Sequence, residues 1–310
     1  MKFLEPIKMH DYPAEQIAFA REGNIWSIDS GADIIIMNKD TIVNSLPLPG
    51  TYGFLTVLTA KQFFKGMYSG NIKSSTPNVS SPDLQAVEKG KERISLDGYV
   101  YQTIQWNAGG NFFVAGLKPF ISRDNRQINH AKLDYPVVKF QAFLRTTTLL
   151  QSSVLPCDAM DISEQYIVVL QETLHVYDHQ CILLAKVPLP ASLQTDRAFI
   201  FDNEQKLLVV DGLGKIHVFH LPGLEPALTY QLPLYETKQP LAITNDGLVA
   251  TGNNKGKVLF LEINDSNIYE QAVYQFDGMV TSLAFHGELD LIGVGVNGQT
   301  QQGTYWLNWE

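Results

Sequence analysis

The side chains best equipped for chemistry in this 310-residue chain are its histidines and a few carboxylates. His175 and His179 stand four apart and His217 and His220 three apart, spacings that invite a shared metal ion. These residues lie in extended runs, where a separation of three points side chains to opposite faces, and His179 falls in the turn beyond its strand. His175 and His217 hold equivalent places in adjacent sequence repeats, which signals packing before ligation. Gly293-Val-Gly295-Val-Asn-Gly298 has the look of a dinucleotide loop with altered spacing, but it lies in a β hairpin with no helix N-terminus to hold a phosphate. The sequence contains no Gly-x-Ser-x-Gly, His-Glu-x-x-His or phosphate-loop motif. No catalytic residue, metal site or cofactor site is therefore predicted.

The concentrated basic group is Lys73, Lys89, Lys91 and Arg93, inside a stretch rich in Ser, Pro, Asn and Lys at 69–98. A long insertion on a rigid framework is a common place for specificity, so these four are candidate interaction residues. The plainer alternative is a solvated loop.

What must position any of these groups is a repeated unit. Tyr166 to Asp178, Leu207 to His220 and Leu248 to Glu262 follow one grammar: a short apolar run, a polar turn, then a second apolar run. Runs of four to six residues rich in Val, Ile and Leu predict strands, and Asn245-Asp-Gly247 and Asn253-Asn-Lys-Gly256 supply the positive-φ residues of hairpin turns. With Leu241 to Thr244 before and Ile268 to Tyr274 after, one unit reads as a four-stranded meander. Such a unit cannot bury its own faces and must stack on its neighbours.

The unit recurs at Tyr177, Phe219 and Leu261, a period of about 42 that falls in the range of propeller blades, and Trp309 follows after a slightly longer interval. Counting back, Met37 fits the same slot and Ile121 stands two periods after it. The interval from Ile121 to Tyr177 is longer than one period but too short for two. The count predicts an all-β single domain, a seven-bladed β-propeller of four-stranded antiparallel blades. Blades are expected at 15–47, 48–98 with its insertion at 69–98, 99–135, 136–190, 191–235, 236–277 and 278–310. Residues 2–9 are expected to supply the missing fourth strand of the last blade and so remove its open edge.

Composition narrows the partners. With 32 acidic and 23 basic residues the formal charge is −9, which argues against nucleic acid or anionic lipid as the main partner. No apolar run approaches the roughly 20 residues of a membrane-spanning helix, and the opening residues carry charges and Pro6 where a secretory signal would be apolar. Cys157 and Cys181 are too few for a disulfide framework and are read as free thiols. The expectation is a soluble cytoplasmic protein.

Thr251-Gly-Asn-Asn-Lys-Gly256-Lys-Val258-Leu-Phe-Leu261-Glu262 resembles the repeat of WD40 proteins, with Tyr177-Asp178, Phe219-His220, Leu261-Glu262 and Trp309-Glu310 at the Trp-Asp slot. Departures are plain, since no Gly-His dipeptide opens a blade. The resemblance implies a non-catalytic scaffold or adaptor that binds another protein or peptide and that can belong to a larger complex. The alternative is a propeller hydrolase or lactonase holding a divalent metal in its channel, for which the inner strands offer one carboxylate, Asp161.

Overall fold

The computed structural model describes residues 1–19, 25–29, 33–38, 41–47, 52–59, 62–67, 72–75, 99–107, 112–119, 134–141, 146–188, 197–233, 239–287 and 289–310. Every regular element among them is a β-strand, and none of the described residues forms a helix long and apolar enough to cross a membrane. After β1 (Ile7–His10) come β2 (Gln16–Phe19), β3 (Ile25–Asp29), β4 (Asp33–Asn38) and β5 (Thr41–Pro47), which form one antiparallel sheet. The next sheet has three described strands, β6 (Tyr52–Thr59), β7 (Gln62–Met67) and β8 (Ile72–Ser75). Then follow β9 (Tyr99–Trp106), β10 (Phe112–Pro119), β11 (Tyr135–Gln141) and β12 (Thr146–Ser153) as a third sheet.

Three further meanders are regular. They comprise β13 (Ala159–Ile162), β14 (Tyr166–Leu170), β15 (Thr173–Asp178) and β16 (Leu183–Pro188); β17 (Arg197–Phe201), β18 (Lys206–Val210), β19 (Lys215–His220) and β20 (Glu225–Gln231); and β21 (Leu241–Ile243), β22 (Leu248–Gly252), β23 (Lys257–Ile263) and β24 (Ile268–Gln275). The final sheet joins the two ends of the chain: β25 (Met279–Phe285), β26 (Leu291–Asn297) and β27 (Gly303–Asn308) are completed by β1, which pairs antiparallel with β27.

First strands of successive sheets lie side by side. β2 touches β25 and β6, β6 touches β9, β9 touches β13, β13 touches β17, and β21 touches β25. The sheets of β17 and β21 share an apolar core that includes Phe201, Leu208, Val218, Val249 and Leu261. Second strands are covered on both faces, which is why Ile167 to Leu170 and Leu207 to Val210 are continuous apolar runs at 0% exposure. Fourth strands such as β16 and β20 lie outermost and alternate between exposed and half-buried positions.

The repeat is written most clearly in the pairing. Between third and fourth strands the register slips by one residue immediately before Met37, Val138, Tyr177, Phe219 and Leu261. Each slip is a bulge that leaves an extra residue on the fourth strand and tightens its twist. The step from Val138 to Tyr177 is only slightly shorter than the equal steps from Tyr177 to Phe219 and from Phe219 to Leu261.

Four expectations are corrected. The division between 135 and 136 cuts a sheet in two, because β11 begins at Tyr135 and pairs with both β10 and β12. Lys118 and Pro119 close the second strand β10, Ile121 lies outside the described residues, and the surplus length falls between β10 and β11. Segment 69–98 is not loop from its start, since Ile72–Ser75 is strand β8, pairing with β7. At the last slot, Ile292 pairs with Leu307 as Val249 pairs with Leu261, so Leu307-Asn308 takes the place expected for Trp309-Glu310. Trp309 instead bridges to Phe3 and packs its ring 5.8 Å from Phe260 and 6.0 Å from Phe285.

Candidate functional site

Because each sheet is an antiparallel meander, its connections fall at two ends. First-to-second and third-to-fourth turns share one end, here the trailing end; second-to-third turns and the links between sheets share the leading end.

A cleft of about 470 Å³ opens at the trailing end, lined by Asp161, Ser163, Glu164, Asn203, Glu204 and Asn245. These residues come from the first-to-second turns of three successive sheets or from the strands beside them. Asp161 on β13 accepts the N–H of Ile162 through Oδ1 at 2.9 Å and that of Ile200, on β17, through Oδ2 at 2.7 Å. Burial pushes its carboxyl up to about 6, against the two N–H bonds that favour the charged form. Glu204 reaches back across the same boundary: its carboxylate accepts Ser163 Oγ at 2.7 Å and the N–H groups of Glu164 at 3.0 Å and Gln165 at 2.8 Å. Asn203 and Asn245 repeat the link one sheet on, with Asn203 N–H donating to Asn245 Oδ1 and Asn245 Nδ2 to Asn203 Oδ1, both at 3.0 Å.

The turn that carries this relay is strained. Asp202, Asn203 and Glu204 take φ values of 55°, 50° and 68°, three successive left-handed residues without a glycine. The surrounding hydrogen bonds hold them there. Asp202 N–H also donates to Asn245 O at 2.7 Å, and Lys206 Nζ pairs with Asp202 at 2.9 Å and Asp265 at 2.6 Å. Asp161 and Glu204 thus act as acceptors that fasten neighbouring sheets together.

At the leading end the second-to-third turns are held by side-chain caps. Asp211 Oδ1 accepts the N–H groups of Leu213 and Lys215, both at 2.9 Å, and Asn253 Oδ1 accepts those of Lys255 and Lys257 at 3.0 and 2.9 Å. Burial alone would raise Asp211, but its bonds from His217, Lys215 and Leu213 outweigh that and hold the carboxyl below its ordinary range.

The histidines singled out by spacing do not converge. His217 Nε2 lies 3.0 Å from Asp211 Oδ2 and its ring stacks along Phe219, while His175 stacks along Tyr177 and turns Nδ1 to Thr173 O at 3.1 Å. His179 donates from Nε2 to Ser163 O at 3.0 Å, and His220 is exposed. Among the described residues no group of three His, Cys, Asp or Glu side chains is placed to hold a metal ion.

The repeat-slot residues serve the pairing and packing of the sheets, with Tyr177 reaching across to β12 of the preceding sheet. Tyr177 OH donates to Gln151 Oε1 at 2.8 Å, Asp178 Oδ1 accepts Ile182 N–H at 2.8 Å, Phe219 and Leu261 are core, and Glu262 accepts from Gln271. Of the basic group, Lys73 lies in β8 opposite Lys65, and Lys89, Lys91 and Arg93 lie outside the described residues. The trailing-end relay was not anticipated. The turn Asp202-Asn-Glu204, following Phe201, carries the available signal, since Asp and Asn tolerate left-handed backbone.

No protein-family model matches the chain, and no curated protein matches it in sequence. Solved structures do. Raptor from Chaetomium thermophilum superposes with a TM-score of 0.69 at 14% identity, over 99% of this chain and 29% of that one. The β-propeller domain of Cps50 (Swd1) from Myceliophteria thermophila gives a TM-score of 0.69 at 10% identity, over 99% of this chain and 98% of that one. The chain thus spans under a third of the Raptor chain. Likeness at such identities shows the fold alone, which is that of a divergent WD40-like β-propeller.

Proposed function

We propose that the chain is a seven-bladed β-propeller, its last blade completed by the N-terminal strand, and that it serves as a non-catalytic scaffold for another protein or peptide. One observation carries the functional half: Asp161 and Glu204, the cleft carboxylates with defined partners, are committed to joining sheets, while large apolar side chains stand in solvent at the leading end. Val154 is 73% exposed, Leu213 69% and Tyr12 58%, and Leu155 and Met279 are also exposed. Each lies in a link between sheets, in a second-to-third turn, or at the start of a first strand. Ile182 and Leu289 are also exposed, at the trailing end, and it is the number of such groups at the leading end of a rigid framework that supports an interaction surface there. The same proposal places the protein in the cytoplasm, in keeping with its free cysteines.

The test is affinity purification with the full chain, its Val154→Asp/Leu213→Asp variant and, as a trailing-end control, Leu289→Asp. A stoichiometric partner retained by wild type and control but lost from the double variant is the expected result. Equal retention by all three, or loss only from the control, overturns the assignment of the leading face.

A further inference from the structure

The chain holds one Asn-Gly dipeptide, Asn297-Gly298, where β26 runs into the turn before β27. Asparagine is a chemically labile residue, and a following glycine leaves its side-chain amide open to attack by the backbone, because glycine puts no Cβ beside its nitrogen. Whether the attack occurs depends on how the fold holds the two groups. Asn297 is exposed at the end of β26, and its side chain makes no hydrogen bond with any described residue. The N–H of Gly298 lies beyond the ladder with β27, which ends at Val296 and Gly303, and it has no backbone partner among the described residues.

The missing restraint has a reason in the repeat. Ile292 pairs with Leu307 as Val249 pairs with Leu261 and Leu207 with Phe219, so the place of Asp211 and Asn253 is taken by Val296. Asp211 and Asn253 cap their turns through Oδ1. Val296 has no such oxygen, and Asn297 stands one residue past the capping position. Among the described residues the Asp-Gly pairs are all held: Asp211 by its cap and His217, Asp246 by Thr244 Oγ1, and Asp277 by Thr300 Oγ1.

We propose that Asn297 is a site of spontaneous deamidation, with water as the co-reactant. The deprotonated nitrogen of Gly298 attacks Cγ of Asn297, the Cγ–Nδ2 bond breaks, and Nδ2 leaves as ammonia with the proton that Gly298 gave up. A cyclic imide remains, and water opens it. Addition at Cγ gives an aspartate; addition at the backbone carbonyl gives an isoaspartate, whose main chain runs through the former side-chain carbon. One amide and one water become one acid and one ammonia, and nothing is oxidised or reduced. Both products place a carboxylate, ionised at neutral pH, cross-strand from the exposed Met279. Isoaspartate also lengthens the main chain where there is no slack, since a Cβ on Gly278 would stand 2.6 Å from Gly298 Cα and 2.7 Å from Gly298 N. The reaction is a slow one-way change at the leading end, and it stands whether or not the scaffold reading holds.

The experiment ages the full chain at mildly alkaline pH, folded and in urea. Peptide mapping by mass spectrometry follows each asparagine, isoaspartyl methylation marks the rearranged product, and released ammonia gives an independent count. Conversion at Asn297 in the folded chain is expected to come within about tenfold of that in urea, and to exceed conversion at every other asparagine of the described residues. It should quicken as pH rises, because the attacking nitrogen must lose its proton. Asn297→Gln, whose longer side chain closes the ring far more slowly, should lower the ammonia released. Stronger protection by the fold, faster loss at another described asparagine, or ammonia release unchanged in Asn297→Gln overturns the proposal. Limited proteolysis reads the backbone change: cleavage between 297 and 303 should be faster in the aged chain than in unaged Asn297→Asp, which carries the charge alone. Equal cleavage overturns the isoaspartate part.

Discussion

Asp161 and Ile200 stand on first strands of neighbouring sheets, and the carboxylate of one takes the backbone N–H of the other at 2.7 Å. This bond ties two sheets at their inner edge by a carboxyl whose buried environment opposes ionisation. Its folded value, about 6, exceeds the ordinary Asp value of 3.8, so between those limits the folded state holds a proton that the unfolded chain has released. This contribution to stability is full below about pH 4 and is lost as pH rises through about 6. The advantage of wild type over Asp161→Asn in urea unfolding should therefore be largest near pH 4 and shrink by roughly 2 to 3 kcal/mol at pH 7. An advantage that grows with pH would refute the assignment.

Glu204 combines a left-handed backbone with three accepted hydrogen bonds, so its two roles can be separated. Glu204→Ala removes the acceptor and keeps the strain, and should cost about 1 to 3 kcal/mol. Glu204→Gly also removes the acceptor but relieves the left-handed penalty, and should be about 1 kcal/mol more stable than the Ala variant. Chemical denaturation of the two variants measures the difference directly. A Gly variant no better than Ala would mean that φ at this turn relaxes when the carboxylate is gone.

Asp211 and Asn253 stand one repeat apart and cap equivalent turns, one with a carboxylate and one with an amide. Asp211→Asn keeps the Oδ1 acceptor for Leu213 and Lys215 and should cost under about 1 kcal/mol at neutral pH, whereas Asp211→Ala should cost about 1 to 2. Because Asp211 is held below its ordinary range, its contribution is present at neutral pH and is lost on acidification through the folded value. The gap between wild type and Asp211→Asn should accordingly narrow as pH falls below about 4.

Where sequence and structure agree, the reason is local. Leu248–Gly252 and Lys257–Ile263 are strands as read, because an apolar run and an Asn-rich turn each carry their own signal. β11 was missed for a local reason too: Pro136 interrupts the run, and the longer link before it broke the spacing at the point where Lys118-Pro-Phe-Ile121 offered a false third strand. The relay at the trailing end is a different case. Asp161 to Ile200, Ser163 to Glu204, and Asn203 to Asn245 are separated by 39, 41 and 42 residues, so these contacts have the length of the repeat itself. A sequence repeat reveals which positions are equivalent. It does not reveal which side chain crosses from one unit to the next, since that depends on the turn geometry.

The glycines that suggested a dinucleotide loop have a packing role that can be tested against a matched control. A Cβ at Gly295 would stand 2.5 Å from Ala14 O, from Ser282 Oγ and from Thr281 Oγ1, where the segment leading into β2 meets the last sheet. Both hydroxyls donate to Ala14 O, at 2.6 Å from Thr281 and 2.7 Å from Ser282, so the methyl group would displace the backbone that they hold. Gly287 lies in the turn after β25 with no atom within 4 Å of such a Cβ. Gly295→Ala should destabilise the chain by about 2 kcal/mol or more and loosen the N-terminal segment, while Gly287→Ala should stay within about 0.5 kcal/mol of wild type. Thermal unfolding gives the ranking, and limited proteolysis locates the defect, with earlier cleavage near residue 14 expected in Gly295→Ala alone. Equal stability of the two variants would show that the seam between the two ends of the chain has room to spare, and would weaken the case that the N-terminal strand completes the last blade.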